Sequence, residues 1–406
     1  MSLMLHEFHH RLGARFAGRE GAEVVNDYGD WLAEHAALRQ NAGVLDFSFR
    51  SRICLTGADR VRFLHGQVTN DVKKLCVGEG CYAALVTAKG KMESDLNIFN
   101  LQDELLLDFE PGLTEKISQR LGKFIVADDV QIVDVTPHYG LLSVQGPKAE
   151  EVVLAMGLIG RDALPRVQAD QQVGPTIVTI TDATLGEVYL MNHARLSSFP
   201  LPAKRGEGQG EGQRFTSSPR PSPPFHGGEG ENVLSGFDLF IPNSSLGAVA
   251  DKLIAAAKQT GGRACGWQAF ETARIEAAIP RFGVDMDETN LPLECGIASR
   301  AVVYNKGCYI GQEVINRIHS FGHVTRELRG LRLADELKSL PQRGDKLFRD
   351  GKEIGYVTSA VKSPALNANI ALGYVRREAN QTGNELTLQG AGESSAKIVE
   401  IPFVGG

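Results

Sequence analysis

The residues with the clearest chemical potential lie in the octapeptide Lys306-Gly307-Cys308-Tyr309-Ile310-Gly311-Gln312-Glu313. Two glycines bracket a thiol, and a helical pattern starts at Gln312. Val314 and Ile318 share one face, and Glu313 and Arg317 form an i,i+4 pair. Gly311 lets the backbone turn sharply or approach a ligand closely. Cys308 is thus expected just ahead of a helix N-terminus with Lys306 beside it, and both features favour a thiolate. The same residues also describe a small buried cysteine in a glycine-rich turn.

The other cysteines do not build a site around it. Cys54, Cys76, Cys81, Cys265 and Cys295 are dispersed, with no CxxC pair and no closely spaced Cys/His set. That pattern argues against structural zinc and against a four-cysteine iron–sulfur cluster, so no metal site is expected. Dispersed thiols in a long chain fit a reducing cytoplasm better than a disulfide framework. A net charge of −6 argues against a dominant nucleic-acid surface, and no apolar run reaches membrane-spanning length. The N-terminus has no apolar core of a secretory signal.

The elements that must position these groups read as an α+β arrangement followed by a small barrel. Residues 1–26 look like a loosely ordered lead-in. A helix is expected over 28–40, and strands over 52–56, 81–87, 94–100 and 104–109. A helix over 113–124, strands over 130–135 and 139–145, and a helix over 147–156 continue the alternation. Residues 203–232 contain no Val, Ile, Leu or Met, only Gly/Glu/Gln and Ser/Pro runs, and read as an inert disordered insertion at a hairpin tip. Helices over 245–258 and 266–277 follow. From 326 to 406 six short strands, with Asp350-Gly351 as a hairpin turn, make a separate barrel, leaving 27–325 as the main body.

Several segments together resemble the YgfZ/GcvT family of folate-binding proteins. The octapeptide, K-G-C-Y-I-G-Q-E, is the most specific. Phe63-Leu64-His65-Gly66-Gln67-Val68-Thr69-Asn70-Asp71 is similar to an FLxGQxTND stretch, and Thr87-Ala88-Lys89-Gly90-Lys91 followed by Asp95 to a TxxGK…D element. Arg274-Ile275-Glu276 through Gly283 to Pro292-Leu293-Glu294 resembles the R-x-E…G…P-x-E segment. Val357-Thr358-Ser359 and Ala371-Leu372-Gly373-Tyr374-Val375 resemble barrel strands of the family. The resemblance implies a three-lobed, aminomethyltransferase-like α+β fold around a folate cavity, with tetrahydrofolate as cofactor.

The resemblance further implies Asp95 near the one-carbon nitrogen. Asn70, Asp71, Arg274, Glu276 and Lys306 are then candidate folate-binding residues, with Lys306 or Arg317 as the cation for folate's anionic tail. Each has a plainer reading: a strand-entry aspartate, turn caps, loop ties or surface charges. The family divides in function. The cysteine octapeptide favours the YgfZ side, a tetrahydrofolate-binding factor for iron–sulfur cluster assembly or repair. Cys308 is then the reactive thiol and iron–sulfur clients or assembly factors are the partners. The residues before Gly236, Val233-Leu234-Ser235, lack the T-G-E glutamate of glycine-cleavage T-proteins and point the same way. The alternatives are a T-protein aminomethyltransferase, moving a methylene group from an aminomethyl-lipoyl carrier onto tetrahydrofolate, and a non-catalytic folate-sensing adaptor.

Overall fold

The computed structural model describes residues 2–166, 174–196, 235–390 and 393–404. Two sheets face each other. One has five strands in the order Glu79–Val86, Met92–Asn100, Leu105–Phe109, Ser51–Thr56, Gln131–Asp134. The other has six, ordered Ile177–Asp182, Gly186–Asn192, Gly236–Pro242, Tyr139–Gln145, Gly43–Asp46, Arg263–Ala264. Side chains alternate across each strand, so each sheet sorts its residues onto two faces. The outer face of the first carries Ile53, Leu55, Leu96, Ile98 and Leu107 under Leu64, Ile117 and Leu121. The outer face of the second carries Val44, Leu142, Val144 and Leu239 under Val152, Val249 and Leu253. Between the sheets, Phe99, Leu106, Leu141, Met191 and Phe240 pack together with Phe47, Phe49 and Phe270. That inner layer is only partly apolar, and its polar remainder forms the site described below.

The C-terminal strands Arg326–Leu333, Lys346–Arg349, Lys352–Ser363, Ala368–Arg376, Glu385–Gln389 and Glu393–Val399 close into a barrel, the first pairing with the last. Asp350 and Gly351 both take positive φ (51° and 74°), the backbone a tight two-residue hairpin loop requires. The barrel is docked on the body through Asp285, which accepts from Thr358 Oγ1 at 2.6 Å, Ser359 Oγ at 2.7 Å and Arg274 Nη1 at 2.6 Å.

The N-terminal residues differ from a loose lead-in. They form a helix, His6–Arg11, and a hairpin, Arg15–Arg19 with Ala22–Asp27. Val24 and Val25 are buried in the inter-sheet core, and buried His9 bonds Asp46 at 2.8 Å through Nε2 and Tyr28 Oη at 2.8 Å through Nδ1. Elements of five or six residues carry too little periodicity to be visible in sequence, yet burying two valines and a satisfied histidine orders them. The insertion at 203–232 lies outside the described residues. No helix among the described residues is long and apolar enough to cross a membrane.

Candidate active site

The inner face of the five-stranded sheet carries a row of polar side chains set by strand pairing. Asp95 and Asn97 project from Met92–Asn100 on the face opposite Leu96 and Ile98. Asn97 lies opposite Tyr82 in one neighbour and Asp108 in the other, and Asp108 lies opposite Arg52. Most of these groups are saturated. Arg50 Nε bonds Asp108 Oδ1 at 2.9 Å, and Arg50 Nη1 bonds Glu110 at 2.5 Å. Arg195 spans the sheets, its Nε 2.9 Å from Asp238 Oδ2 and its Nη2 3.3 Å from Asp108. His193 Nδ1 also reaches Asp238 at 2.7 Å, and Arg281 reaches Glu110 at 3.0 Å. Burial alone would raise these carboxyls. The charges of Arg195 and His193 outweigh it at Asp238, those of Arg50 and Arg195 at Asp108, and those of Arg50 and Arg281 at Glu110, so all three fall below the ordinary carboxylate range.

Asp95 is the exception in this row. Tyr82 Oη donates to its Oδ2 at 2.8 Å, while its Oδ1 is buried with no hydrogen-bond partner among the described residues. Burial, then the negative charge of Glu110, raise its pKa; the Tyr82 hydrogen bond, Arg50 and Arg300 offset this only in part. A carboxyl with a raised proton affinity and one open lone-pair face can accept an N–H and exchange a proton with it. The Tyr82 hydroxyl is itself pushed well above 10 by burial and by Asp95, so it stays protonated and serves as a fixed donor. The ring of Tyr82 lies under the Arg300 guanidinium, 4.5 Å from its carbon to the ring centre.

Asp95 as a residue is only half-buried, so it sits in a recess that solvent reaches, and none of the other residues singled out in sequence bonds to it. Asn70 spends its amide on two carbonyls, Tyr82 O at 2.8 Å and Arg300 O at 3.1 Å, and its Oδ1 on Asp71 N. It therefore ties the Tyr82 strand to the Arg300 segment. Asp71 lies 3.2 Å from His65 Nδ1 and 3.6 Å from Lys74 Nζ, close enough for charge attraction but not aligned as a hydrogen bond to His65. Lys306 is no free cation. Its Nζ donates to His65 O, Val68 O and Asn70 O at 2.7, 2.7 and 2.6 Å, which exhausts its three donors. Burial draws its pKa down to about 8.

Arg274 and Glu276 stand apart from the recess. Fully buried Arg274 is committed to Glu271, Asp285 and Ile279 O. Glu276 binds His35 Nε2 at 2.8 Å and Ser363 Oγ at 2.5 Å, joining a helix of the body to the barrel. The resemblance of the R-x-E segment made both candidate folate ligands, with loop ties as the plainer reading, and here their charges are taken by protein partners.

Cys308 is exposed and has no hydrogen bond or ion pair among the described residues. The helix after it runs Gln312–Phe321, as its pattern predicts. Gly311 takes φ +86°, and a Cβ there would come 2.5 Å from Thr87 O, so its close approach is to the protein's own turn rather than to a ligand. Arg50, Asp108, Arg195, Asp238 and Arg281 escape sequence reading. For Asp108 and Asp238 the signal was a charge inside a strand whose neighbours in sequence are apolar, as in Leu105-Leu106-Leu107-Asp108-Phe109 and Phe237-Asp238-Leu239, whereas Arg50, Arg195 and Arg281 lie outside the strands and carry no such signal.

The profile of the GCVT N-terminal domain family matches residues 5–172 and 232–306, more than half of the chain. The chain belongs to this family. Residues 326–404 match the glycine cleavage T-protein C-terminal barrel domain. Among curated relatives, an aminomethyltransferase of Symbiobacterium thermophilum is 28% identical over 98% of this chain and 96% of its own length. An aminomethyltransferase of Geobacillus kaustophilus is 28% identical over 97% and 95%. The glycine cleavage system aminomethyltransferase T from Bartonella henselae superposes with a TM-score of 0.80 at 21% identity, covering 100% of this chain and 98% of that one, a likeness of fold.

These relatives overturn the reading of the octapeptide as the mark of an iron–sulfur assembly factor. The likeness to proteins named aminomethyltransferase runs through both lobes and the barrel, whereas the contrary reading leaned on eight residues and on a missing glutamate. Of the residues read as replacing that glutamate, Val233 and Leu234 lie outside the described residues. Iron–sulfur clients fall away with it.

Proposed function

We propose that this protein is a tetrahydrofolate-dependent aminomethyltransferase of the glycine-cleavage T-protein type. It would take the one-carbon unit of an aminomethyl group borne on a lipoylated carrier, with tetrahydrofolate as acceptor, and release ammonia and the carrier's lipoyl group as its free dithiol. The observation that carries the reading is the near full-length likeness to aminomethyltransferases of two genera. The Asp95 recess gives it a chemical centre. When bound, tetrahydrofolate supplies a nucleophilic ring nitrogen that accepts the carbon.

The residues present fit such a group. Asp95 Oδ1, buried and unpartnered, is an acceptor waiting for an N–H. Tyr82 fixes the other oxygen and so aims the carboxyl. Asp95 in its ionised form holds the nitrogen's proton and takes it as the nitrogen loses it, and its raised proton affinity suits that role. Arg50, Arg195 and Arg281 keep Asp108, Glu110 and Asp238 ionised and immobile, which leaves Asp95 as the titrating carboxyl of the row. Cys308, on the surface, carries no step. Its dispersed, unpaired cysteines are consistent with a cytoplasmic protein.

The test is binding followed by turnover. Tetrahydrofolate should bind saturably to the wild type, and addition of loaded carrier should release ammonia. Saturable binding with no release at any carrier concentration would leave a folate binder and remove the transferase.

A further inference from the structure

Among the arginines beside the polar row, Arg300 is unlike the rest. Arg50, Arg195 and Arg281 each touch two or more carboxylates. Arg52, fully buried, donates instead to the carbonyls of Ser48, Thr136 and Tyr139. The Arg300 guanidinium makes no hydrogen bond and no ion pair among the described residues. It stacks on the face of the Tyr82 ring, and its charge acts on Asp95 beyond the ring.

It is also placed deliberately. Asn70 fixes its carbonyl alongside that of Tyr82, and Arg300 lies within the short helix Ala298–Ala301. The Tyr82 ring stands between two groups of opposite charge that form no direct ion pair with each other. Asp95 sits at the hydroxyl edge and Arg300 lies over the face. Arg300 is half-buried, so solvent reaches part of it. A guanidinium held against an aromatic face, with its N–H groups unspent, is suited to bidentate capture of a carboxylate.

We propose that Arg300 binds a carboxylate of the folate substrate, and so sets the preference of this site for a glutamate-bearing pterin over a bare one. This rests on the folate reading above. It moves the role of tail cation from Lys306, whose donors are all taken by backbone carbonyls, to a side chain whose donors are open.

The experiment compares two ligands, tetrahydrofolate and 6-methyltetrahydropterin, which lacks the p-aminobenzoylglutamate. Affinities are measured for the wild type, Arg300→Gln and Arg300→Lys, with the thermal midpoint of each as a check on folding. Arg300→Gln should weaken tetrahydrofolate about 10- to 100-fold, the range of a lost charge-assisted hydrogen bond, and leave 6-methyltetrahydropterin within about twofold. Arg300→Lys should recover part of the loss by keeping the charge without the fork. Equal weakening of both ligands, or none of either, would overturn the proposal while leaving the folate reading in place. A wild type that binds neither ligand would overturn the folate reading and the proposal with it.

Discussion

Replacing Tyr82 with Phe removes one hydroxyl and leaves the ring under Arg300 in place. The wild-type bond, 2.8 Å from Tyr82 Oη to Asp95 Oδ2, stabilises the ionised carboxyl more than the neutral one and lowers its pKa. A hydrogen bond to a charged group contributes about 1.5 to 3 kcal/mol, and one pKa unit corresponds to about 1.4 kcal/mol. Because a protonated Asp95 recovers part of that loss by turning its own proton outward, the expected shift is the lower end, about one unit upward. With ionised Asp95 as the working form, activity falls as pH drops through its pKa. The acid limb of kcat/KM should therefore move to higher pH by about one unit in Tyr82→Phe, while the rate on the alkaline plateau falls far less. The assay is aminomethyl transfer followed across pH 5 to 9. A limb that stays put, or moves to lower pH, would refute the assignment of Asp95 as the titrating group and of Tyr82 as its partner.

Lys306→Met should lower stability by about 3 to 5 kcal/mol, because three buried carbonyl oxygens lose their donor together; chemical denaturation measures it, and a loss under about 1 kcal/mol would contradict the clamp. Asp108, Glu110, Asp238 and Asp285 all have depressed folded pKa values, Asp285 because Arg274 and two hydroxyls outweigh its burial. Their contribution is full above the unfolded value of about 4 and is lost as pH falls through the folded values. Stability should thus drop steeply below about pH 4, by about 1.4 kcal/mol for each unit of depression, and a flat profile from pH 5 to 2 would contradict it. Cys308→Ala should keep aminomethyl transfer within about twofold, since the exposed thiol touches nothing in the recess; a loss of more than tenfold would return the octapeptide to the chemistry.

The sequence displayed the strands and the barrel well because their alternation is local. The strand Met92–Asn100 has Asp95 and Asn97 on one face and Leu96 and Ile98 on the other, and the Asp350-Gly351 turn declares itself by residue type. Asp95 was therefore legible as a residue on a strand, but its isolation was not. That depends on Arg50, Arg195 and Arg281 having taken the neighbouring carboxylates, from positions up to 171 residues away. For the same reason Arg274, Glu276 and Lys306 looked like ligands in sequence: a charged residue announces a need for a partner and conceals that it already has one. Asn70 ties the Tyr82 strand to the Arg300 segment through its amide, a duty its place in the sequence does not display. The octapeptide misled in another way. Its glycine answers to the packing of Gly311 on Thr87, and its lysine to three carbonyls, so most of its distinctive composition is structural.

The most direct test of the central claim is the initial rate of methylenetetrahydrofolate formation from aminomethyl-loaded carrier and tetrahydrofolate, wild type against Asp95→Asn. The substitution keeps the shape and an acceptor oxygen for Tyr82 but removes the titrating carboxylate, and loss of a positioned proton acceptor costs about 100- to 10,000-fold. The expected result is steady product formation by the wild type and a fall of at least about 100-fold in the variant when each is measured at saturating tetrahydrofolate. Equal rates in the two proteins, or no product from the wild type at saturating carrier, would contradict it.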